Sequence, residues 1–325
     1  MKKLILVNIL AIVLIIFTGE VLLRAFLNIT VHGISKGIIN YENKPVFNYP
    51  NIKDKKAFGK IIYTNPNGYR IMKVKNKKKR GKKNIYFVGG SVTFGKGVKQ
   101  ANTFTGILNN EIKQYNIINA GVVGSNLENN IEIIKKKIKK SNLKNIYVNF
   151  SLDDLSIIEE IINLKKEDSN KTATMLTKLR KNEILVYINN FIRTKSVIYI
   201  MLKGYIFKTD KIYYKQALNL YKDNDKIKNF NVLMNEVSNQ NLDNKIVFIM
   251  IPYSYQINEQ NCKKNDFAEK LIIEGIEKKN IKLIKLKEIF CNDKNKEKIF
   301  FKFDPSHLSR YGHNLVAKTL KQKIN

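Results

Sequence analysis

The stretch DPSH at residues 304–307 sets a carboxylate three residues before an imidazole. On a tight turn that spacing lets Asp304 reach Nδ1 of His307, fix its tautomer and stabilise the imidazolium. A base held in this way calls for a nucleophile. The stretch NIYFVGGSVTFGKG at residues 84–97 offers one, because an apolar run from Ile85 to Val88 breaks into glycines and presents Ser91 just beyond it. Ser91, His307 and Asp304 together are candidates for acyl transfer through a covalent intermediate. The same stretch nearly spells a phosphate-binding P-loop, with Gly90, Gly95 and Lys96 in place. It fails at the next position, where Gly97 stands instead of the Ser or Thr that binds Mg²⁺. The predicted helix also begins several residues later, which removes the helix N-terminus that normally helps hold phosphate. The Asp153–Asp154 pair after a later strand could imitate a Walker B acid and keeps this alternative open. The G-x-S-x-G elbow is broken as well, with Thr93 where its second glycine belongs. If the serine is the working residue, Lys96 is an ordinary surface lysine.

Two further turns carry candidate groups. NAGVVGSN, residues 119–126, has glycines at 121 and 124. They permit positive φ and close backbone approach, so an N–H here can meet a developing oxyanion; a tight strand-to-helix turn needs the same glycines. In NFSLDD, residues 149–154, Asn149 or Asp153 can reach a shared site, and an Asp at this place serves equally as a helix cap. Of the three histidines, His313 falls inside the helix that follows DPSH and reads as structural, and the third is His32. Cys262 and Cys291 lack metal-site spacing, and whether they pair is left open. No cofactor and no metal is expected.

These turns need elements to position them. From Asn84 onward strand and helix patterns alternate: strands over 85–88, 116–119, 145–150, 245–251 and 281–284, and helices over 103–115, 127–140, 266–279 and 309–322. Alternation over five short apolar strands predicts a parallel α/β sheet covered on both faces. Ligands then bind outside the carboxyl ends of the strands, where the four turns lie. Residues 28–83 read as an irregular membrane-proximal segment with a short hairpin. Long Lys- and Tyr-rich helical patterns over about 155–230 read as an insertion that could cover a site or lie near the membrane.

The N-terminus, MKKLILVNILAIVLIIF, is a basic pair followed by an apolar run. Apolarity resumes beyond Glu20, through Val21-Leu22-Leu23 and Ala25-Phe26-Leu27, and the position three residues before Glu20 is Phe17, unlike a signal-peptide cleavage site. Residues 1–27 are therefore expected to be an uncleaved single-pass anchor, with Glu20 and Arg24 four apart and able to pair near its end. Lys2 and Lys3 favour a cytoplasmic N-terminus and a main domain, residues 84–325, outside the cytoplasm.

The net charge of +32 invites a nucleic-acid reading. Against it, only six of the 59 basic residues are arginine, the residue that forks onto bases and phosphates, and the lysines are spread along the chain apart from a run at 73–83. No specific nucleic-acid partner is expected; loose attraction to anionic lipid or glycan fits the charge.

Taken together and in order, the four turns resemble the blocks of the SGNH, or GDSL, hydrolase superfamily. GGSVTFG is similar to its first block, with Ser91 at the nucleophile; NAGVVGSN to its second, with Gly124 at the oxyanion-hole glycine. SLDD falls at the third, and DPSHLS resembles the last, with Asp304 and His307 completing a triad. The Glu20/Arg24 pair and the Asn67-Gly68-Tyr69-Arg70 turn resemble a membrane-anchored bacterial branch. The resemblance implies a three-layer, flavodoxin-like α/β fold with a five-stranded parallel sheet behind a transmembrane helix. It implies an esterase acting on acyl groups, acetyl above all, of a cell-surface glycan or a small ester, with an oxyanion hole drawn from Ser91, Gly124, Asp153 and Asn149. An O-acyltransferase using the same triad, or a catalytically silent glycan-binding or assembly protein, are the alternatives. Two positions depart from the pattern: Gly90 replaces the Asp of Gly-Asp-Ser, and Asp153 replaces the third-block Asn. A carboxylate repels an oxyanion, so either Asp153 is protonated, Asn149 substitutes, or backbone N–H groups suffice.

Overall fold

The computed structural model describes residues 2–27, 29, 37–73, 81–138, 141–156, 188–189, 191–241, 245–264 and 266–324. His32, most of the lysine run, the end of the expected 127–140 helix, and residues 157–187 and 190 of the expected insertion lie outside them.

The chain opens with one long helix, α1 (Lys2–Phe26). Its span Lys3–Phe26 has a mean hydropathy of 2.6 over its most apolar window, with none of that window buried in the protein, so length and composition suit a membrane crossing. Ten strands follow: β1 (Ile39–Asn40), β2 (Phe47–Asn48), β3 (Lys55–Ala57), β4 (Lys60–Thr64), β5 (Arg70–Ile71), β6 (Asn84–Gly89), β7 (Asn116–Gly121), β8 (Leu143–Phe150), β9 (Ile246–Met250) and β10 (Lys282–Lys285). The further described helices are α2 (Ser91–Phe94), α3 (Phe104–Glu111), α4 (Leu127–Lys136), α5 (Val197–Phe207), α6 (Thr209–Leu220), α7 (Asn224–Gln240), α8 (Phe267–Glu277), α9 (Lys287–Cys291) and α10 (Arg310–Ile324).

Strands β6 to β10 are mutually parallel, in the order β10-β9-β8-β6-β7, as strand–helix alternation predicts. The sheet does not stop there. Strands β5, β4 and β3 continue it antiparallel beyond β7, so the segment read as irregular supplies one edge of the main sheet. These strands are short and only half-buried, and they carry no apolar run that would mark them in the sequence.

Along β6 the side chains alternate between two cores. Ile85 and Phe87 join Phe104, Leu108, Val316 and Leu320 under α3 and α10. Tyr86 and Val88 join Ile133, Ile134, Phe230 and Ile272 under α4, α7 and α8. Both faces of β6 are thus sealed, which is why its sequence reads as a continuous apolar run. Each fully buried Phe or Ile contributes about 1.5–3 kcal/mol. Helix α7, whose first half falls inside the expected insertion, is a core helix: its Phe230 ring lies 6.2 Å from Phe150 of β8. Helix α8 starts at a capping box between Asp266 and Glu269.

The order of connection places the site. After β6 the chain crosses to β7 on one side and then to β8 on the other. A crevice opens at such a switch point, outside the carboxyl ends of the strands, and the turn that leaves β6 begins with Gly90 and Ser91.

Candidate active site

Strand β6 leaves the sheet through Gly89, whose φ is +152°. A Cβ there would lie 2.4 Å from Thr93 Oγ1 and 2.9 Å from Asn149 Cβ, so only glycine lets the turn fold back against β8. The chain then forms the single helical turn α2, with Ser91 as its first residue and Gly95 in the left-handed conformation ending it. The sequence does not announce this one-turn helix, but it ends before Lys96, and no helix starts at Lys96–Gly97, as expected. Four residues are too few to show helical periodicity. The turn's far end is gripped by Arg70, which is buried. Its guanidinium donates to the carbonyl oxygens of Phe94, Gly95 (2.7 Å) and Val98 (2.7 Å), and stands 4.5 Å over the Phe94 ring. Burial lowers its pKa to about 9, which leaves it charged at neutral pH. Arg70 thus holds the turn that presents Ser91, a role that the N-G-x-R pattern by itself does not reveal.

The opposite wall is the loop before α10. Ser306 N and His307 N donate to Asp304 Oδ1 at 3.0 and 2.9 Å. The His307 ring turns back so that Nδ1 lies 2.8 Å from each Asp304 oxygen. Its other nitrogen, Nε2, lies 2.9 Å from Ser91 Oγ, across 216 residues of sequence. Asp304 is buried, and the His307 side chain keeps 11% of its surface exposed, facing the site. With a carboxylate on Nδ1 and a hydroxyl on Nε2, the imidazole carries its proton at Nδ1 and can accept the hydroxyl proton at Nε2.

A cavity of about 60 Å³ opens beside Ser91, and Gly90, Gly124, Asn149, Asp153 and Ser306 share its lining. Gly124 has φ +83°, and a Cβ there would meet nothing within 4 Å, so its backbone borders open space. Asn149 lines the same cavity, but its Nδ2 donates to Thr93 Oγ1 at 2.5 Å. One N–H of the amide ties β8 to the Ser91 turn. Asp153 and Asp154 follow in a short helical turn, with Ser151 N donating to Asp154 Oδ2 at 2.6 Å. Asp153 keeps an open face toward the cavity while protein crowds its carboxyl. Desolvation raises its pKa, against the opposing pull of a hydrogen bond from Tyr253 and of the nearby His307. Asp154 is pushed up further, by burial and then by the Asp153 charge. Tyr253 is a site neighbour that no motif marks; it sits three residues past β9, after Pro252.

Lys96 is not the plain surface lysine that the sequence suggests. It is half-buried, its Nζ lies 5.8 Å from the Phe58 ring, and burial lowers its pKa against the pull of Asp304. The G-K-G spelling was the one signal that it belongs to this turn.

His313 stands apart from the chemistry. It is buried on α10, stacks on Phe104 with ring centroids 5.8 Å apart, and accepts a hydrogen bond from Phe104 N at 3.3 Å. Burial lowers its pKa to about 3 from 6.5. At neutral pH it is uncharged folded and unfolded alike. As pH falls below 6.5 the unfolded chain takes up a proton that the folded chain refuses, so stability is lost toward acid. Denaturant titration from pH 6.5 to 5.0 is expected to show a loss of about 2 kcal/mol from this residue, and His313→Gln should flatten that slope.

Cys262 and Cys291 form a disulfide. It borders a cavity of about 640 Å³ at the ends of β9 and β10, which contains none of the triad. Among the described residues there is no group of three His, Cys, Asp or Glu placed to hold a metal.

No protein-family model and no curated protein matches the sequence. Solved structures do. The chain is similar to a lipase/acylhydrolase from Enterococcus faecalis, at 12% identity over 74% of this chain and 95% of that one, TM-score 0.41. It is similar to the acetyl xylan esterase AlAXEase, at 16% identity over 74% of this chain and 100% of that one, TM-score 0.42. It is also similar to an acetylxylan esterase from Geobacillus stearothermophilus, at 12% identity over 76% of this chain and 97% of that one, TM-score 0.41.

Proposed function

We propose that this protein is a membrane-anchored serine esterase of the SGNH type that removes small acyl groups, acetyl foremost, from an acylated glycan or related ester. The observation that carries the proposal is the hydrogen-bonded chain from Ser91 Oγ through His307 to Asp304. In this reading His307 Nε2 takes the proton of Ser91 as Oγ attacks the ester carbonyl carbon. The tetrahedral oxyanion accepts hydrogen bonds from the backbone N–H groups of Ser91 and Gly124. His307 then passes its proton to the leaving alkoxide, the alcohol departs, and an acyl-serine remains. A water, deprotonated by the same imidazole, releases the acid. Asp304, fixed by two backbone N–H donors, holds Nδ1–H throughout and stabilises the imidazolium.

The small size of the cavity beside Ser91, about 60 Å³, supports a short acyl group. An extracytoplasmic main domain is supported by the disulfide, a bond rare in reducing compartments. It is supported also by Lys2 and Lys3 before the apolar helix. The test is turnover of a homologous series of p-nitrophenyl esters by the full chain in detergent. The acetyl ester should be cleaved well ahead of octanoyl and longer esters. Equal or faster cleavage of long chains would contradict the acyl assignment.

Asp153 is assigned as the third oxyanion donor, in its protonated form, because it faces the cavity with a raised pKa, while one N–H of Asn149 is engaged by Thr93. The donor form is lost as pH rises through that pKa, and kcat/KM should fall with it. Asp153→Asn keeps an N–H donor at every pH and should abolish that fall, raising kcat/KM at pH 8 by as much as about 10²-fold. A pH–rate profile of both proteins decides it: lower activity of the variant at every pH would mean that the carboxylate itself is needed.

A further inference from the structure

Helix α5 reads VIYIMLKGYIF, apolar throughout but for Lys203. Its inner face packs through Gly204, where a Cβ would lie 2.4 Å from the Phe303 ring. Its outer face leaves Leu202, Tyr205 and Ile206 exposed, at 50%, 63% and 70%. Positions i, i+3 and i+4 form one stripe on a helix. Phe191, just before α5, is 56% exposed, and the exposed Lys195, Lys208 and Lys211 flank the stripe.

What covers this stripe is indicated by where α5 begins. The carboxylate of Glu20, on α1, accepts hydrogen bonds from Val197 N (2.7 Å), Ile198 N (3.0 Å) and Ser196 Oγ (3.0 Å), which satisfies the first N–H groups of α5. Arg24 pairs with Glu20 and donates to the Lys195 carbonyl. Gly19 brings the two helices together, its Cβ position 3.6 Å from Ile198. The 24-residue span Lys3–Phe26 is about 36 Å long, a little over the hydrocarbon thickness, so Glu20, six residues before its end, lies near the bilayer interface when it spans. The start of α5 is fixed at that level.

We propose that α5 is a second membrane contact, lying in the interface of the bilayer with Leu202, Tyr205, Ile206 and Phe191 in the acyl boundary and the flanking lysines on anionic headgroups. The proposal rests on α1 as a membrane span. It has a consequence for the site. Phe303, on which α5 packs, directly precedes Asp304 in the chain; its ring lies 4.9 Å from Tyr205, and its carbonyl accepts from Thr209 Oγ1 at 3.4 Å. The loop that bears Asp304 and His307 is thereby held against the membrane-lying helix. The catalytic edge of the sheet works within reach of the bilayer surface, on esters carried there.

The chain contains no tryptophan, so one introduced indole reports its own surroundings. The full chain carrying Ile206→Trp, Ile15→Trp in α1, or Tyr115→Trp at the amino edge of the sheet would be reconstituted into phosphatidylcholine/phosphatidylglycerol vesicles with and without lipids brominated high in the acyl chain. Ile206→Trp should be quenched at least about twofold and Tyr115→Trp should not, the contrast expected of an interfacial helix; Leu202→Trp serves as a second reporter on the stripe. No quenching at either stripe position overturns the proposal, as does equal quenching at Tyr115→Trp. Ile15→Trp tells the two readings apart: quenched there but not on α5, the anchor stands and the docking falls; quenched at neither, both fall.

Discussion

Ser91→Ala is expected to lower kcat for a small acetyl ester by about 10⁴–10⁶-fold with little change in KM, because in the proposed mechanism the residue makes and breaks the covalent bond and does not hold the substrate. His307→Ala should fall into the same range. The double variant should be hardly worse than either single one, since nucleophile and base act as a unit. Asp304→Asn removes the charge that stabilises the imidazolium and reverses the preferred tautomer, and about 10⁴-fold is the loss expected from that change. The fold should survive Ser91→Ala, because the hydroxyl faces the cavity and α2 is held by Gly95 and Arg70. Steady-state rates beside a thermal unfolding curve for each protein separate lost chemistry from lost structure. A wild type and Ser91→Ala variant with equal, measurable activity would remove Ser91 from the mechanism.

The second large effect is expected at Arg70. Its guanidinium serves the carbonyl oxygens of Phe94, Gly95 and Val98 in a region closed to water. Arg70→Met leaves Val98 O without its donor, and leaves Gly95 O and Phe94 O only the weaker bonds from Val98 N (3.2 Å) and Asn119 Nδ2 (3.5 Å), at about 1–3 kcal/mol for a buried group left unsatisfied, offset in part by the desolvation of the charge itself. A net loss of about 3 kcal/mol or more is expected in chemical denaturation. Activity should fall further than stability alone accounts for, because the turn that aims Ser91 loses its anchor. Arg70→Lys restores the charge but not the fork, and should recover only part of either quantity. Unchanged stability in Arg70→Met would show that the turn is held by its own backbone bonds.

Much of the architecture is legible in the sequence where burial forces a pattern. The parallel strands stand out because they are buried, β6 and β9 throughout and β8 over its second half, and the site turns stand out because glycines and a D-x-x-H sit just past such strands. Ser91 and His307 are brought within hydrogen-bond reach although 216 residues separate them, since both belong to the carboxyl edge of one sheet. What escapes the sequence is what depends on tertiary contact. Strands β3–β5 are short and half-buried, so only their pairing with one another and, through β5, with β7 marks them as part of the main sheet. Helix α2 is a single turn, too short to show a helical period. Arg70, Lys96 and Tyr253 take part in the site through packing with distant elements, and their neighbours in sequence give no hint of it. The Cys262–Cys291 bond joins residues 29 apart, a spacing that on its own fits bonded and free thiols alike. The Glu20 cap on α5 spans 176 residues or more and could not be inferred from the i, i+4 pair it forms with Arg24.

Gly90 and Asp153, the two departures from the resembling pattern, differ in weight. Gly90 precedes Ser91 and leaves its geometry with His307 intact. In the proposed mechanism Asp153 changes the character of the hole and couples its donor strength to pH. The proposed hole, resting on the Ser91 and Gly124 N–H groups plus a protonated carboxyl, is expected to work best where Asp153 keeps its proton.

The central claim is that Ser91 is an activated nucleophile. The most direct measurement is peptide-mapped mass spectrometry after treatment of the folded full chain with a fluorophosphonate. The account predicts a single adduct on Ser91, lost in Ser91→Ala and formed far more slowly in His307→Ala. A folded protein that takes up no phosphonate, or takes it up at another residue with Ser91 unmodified, would contradict it.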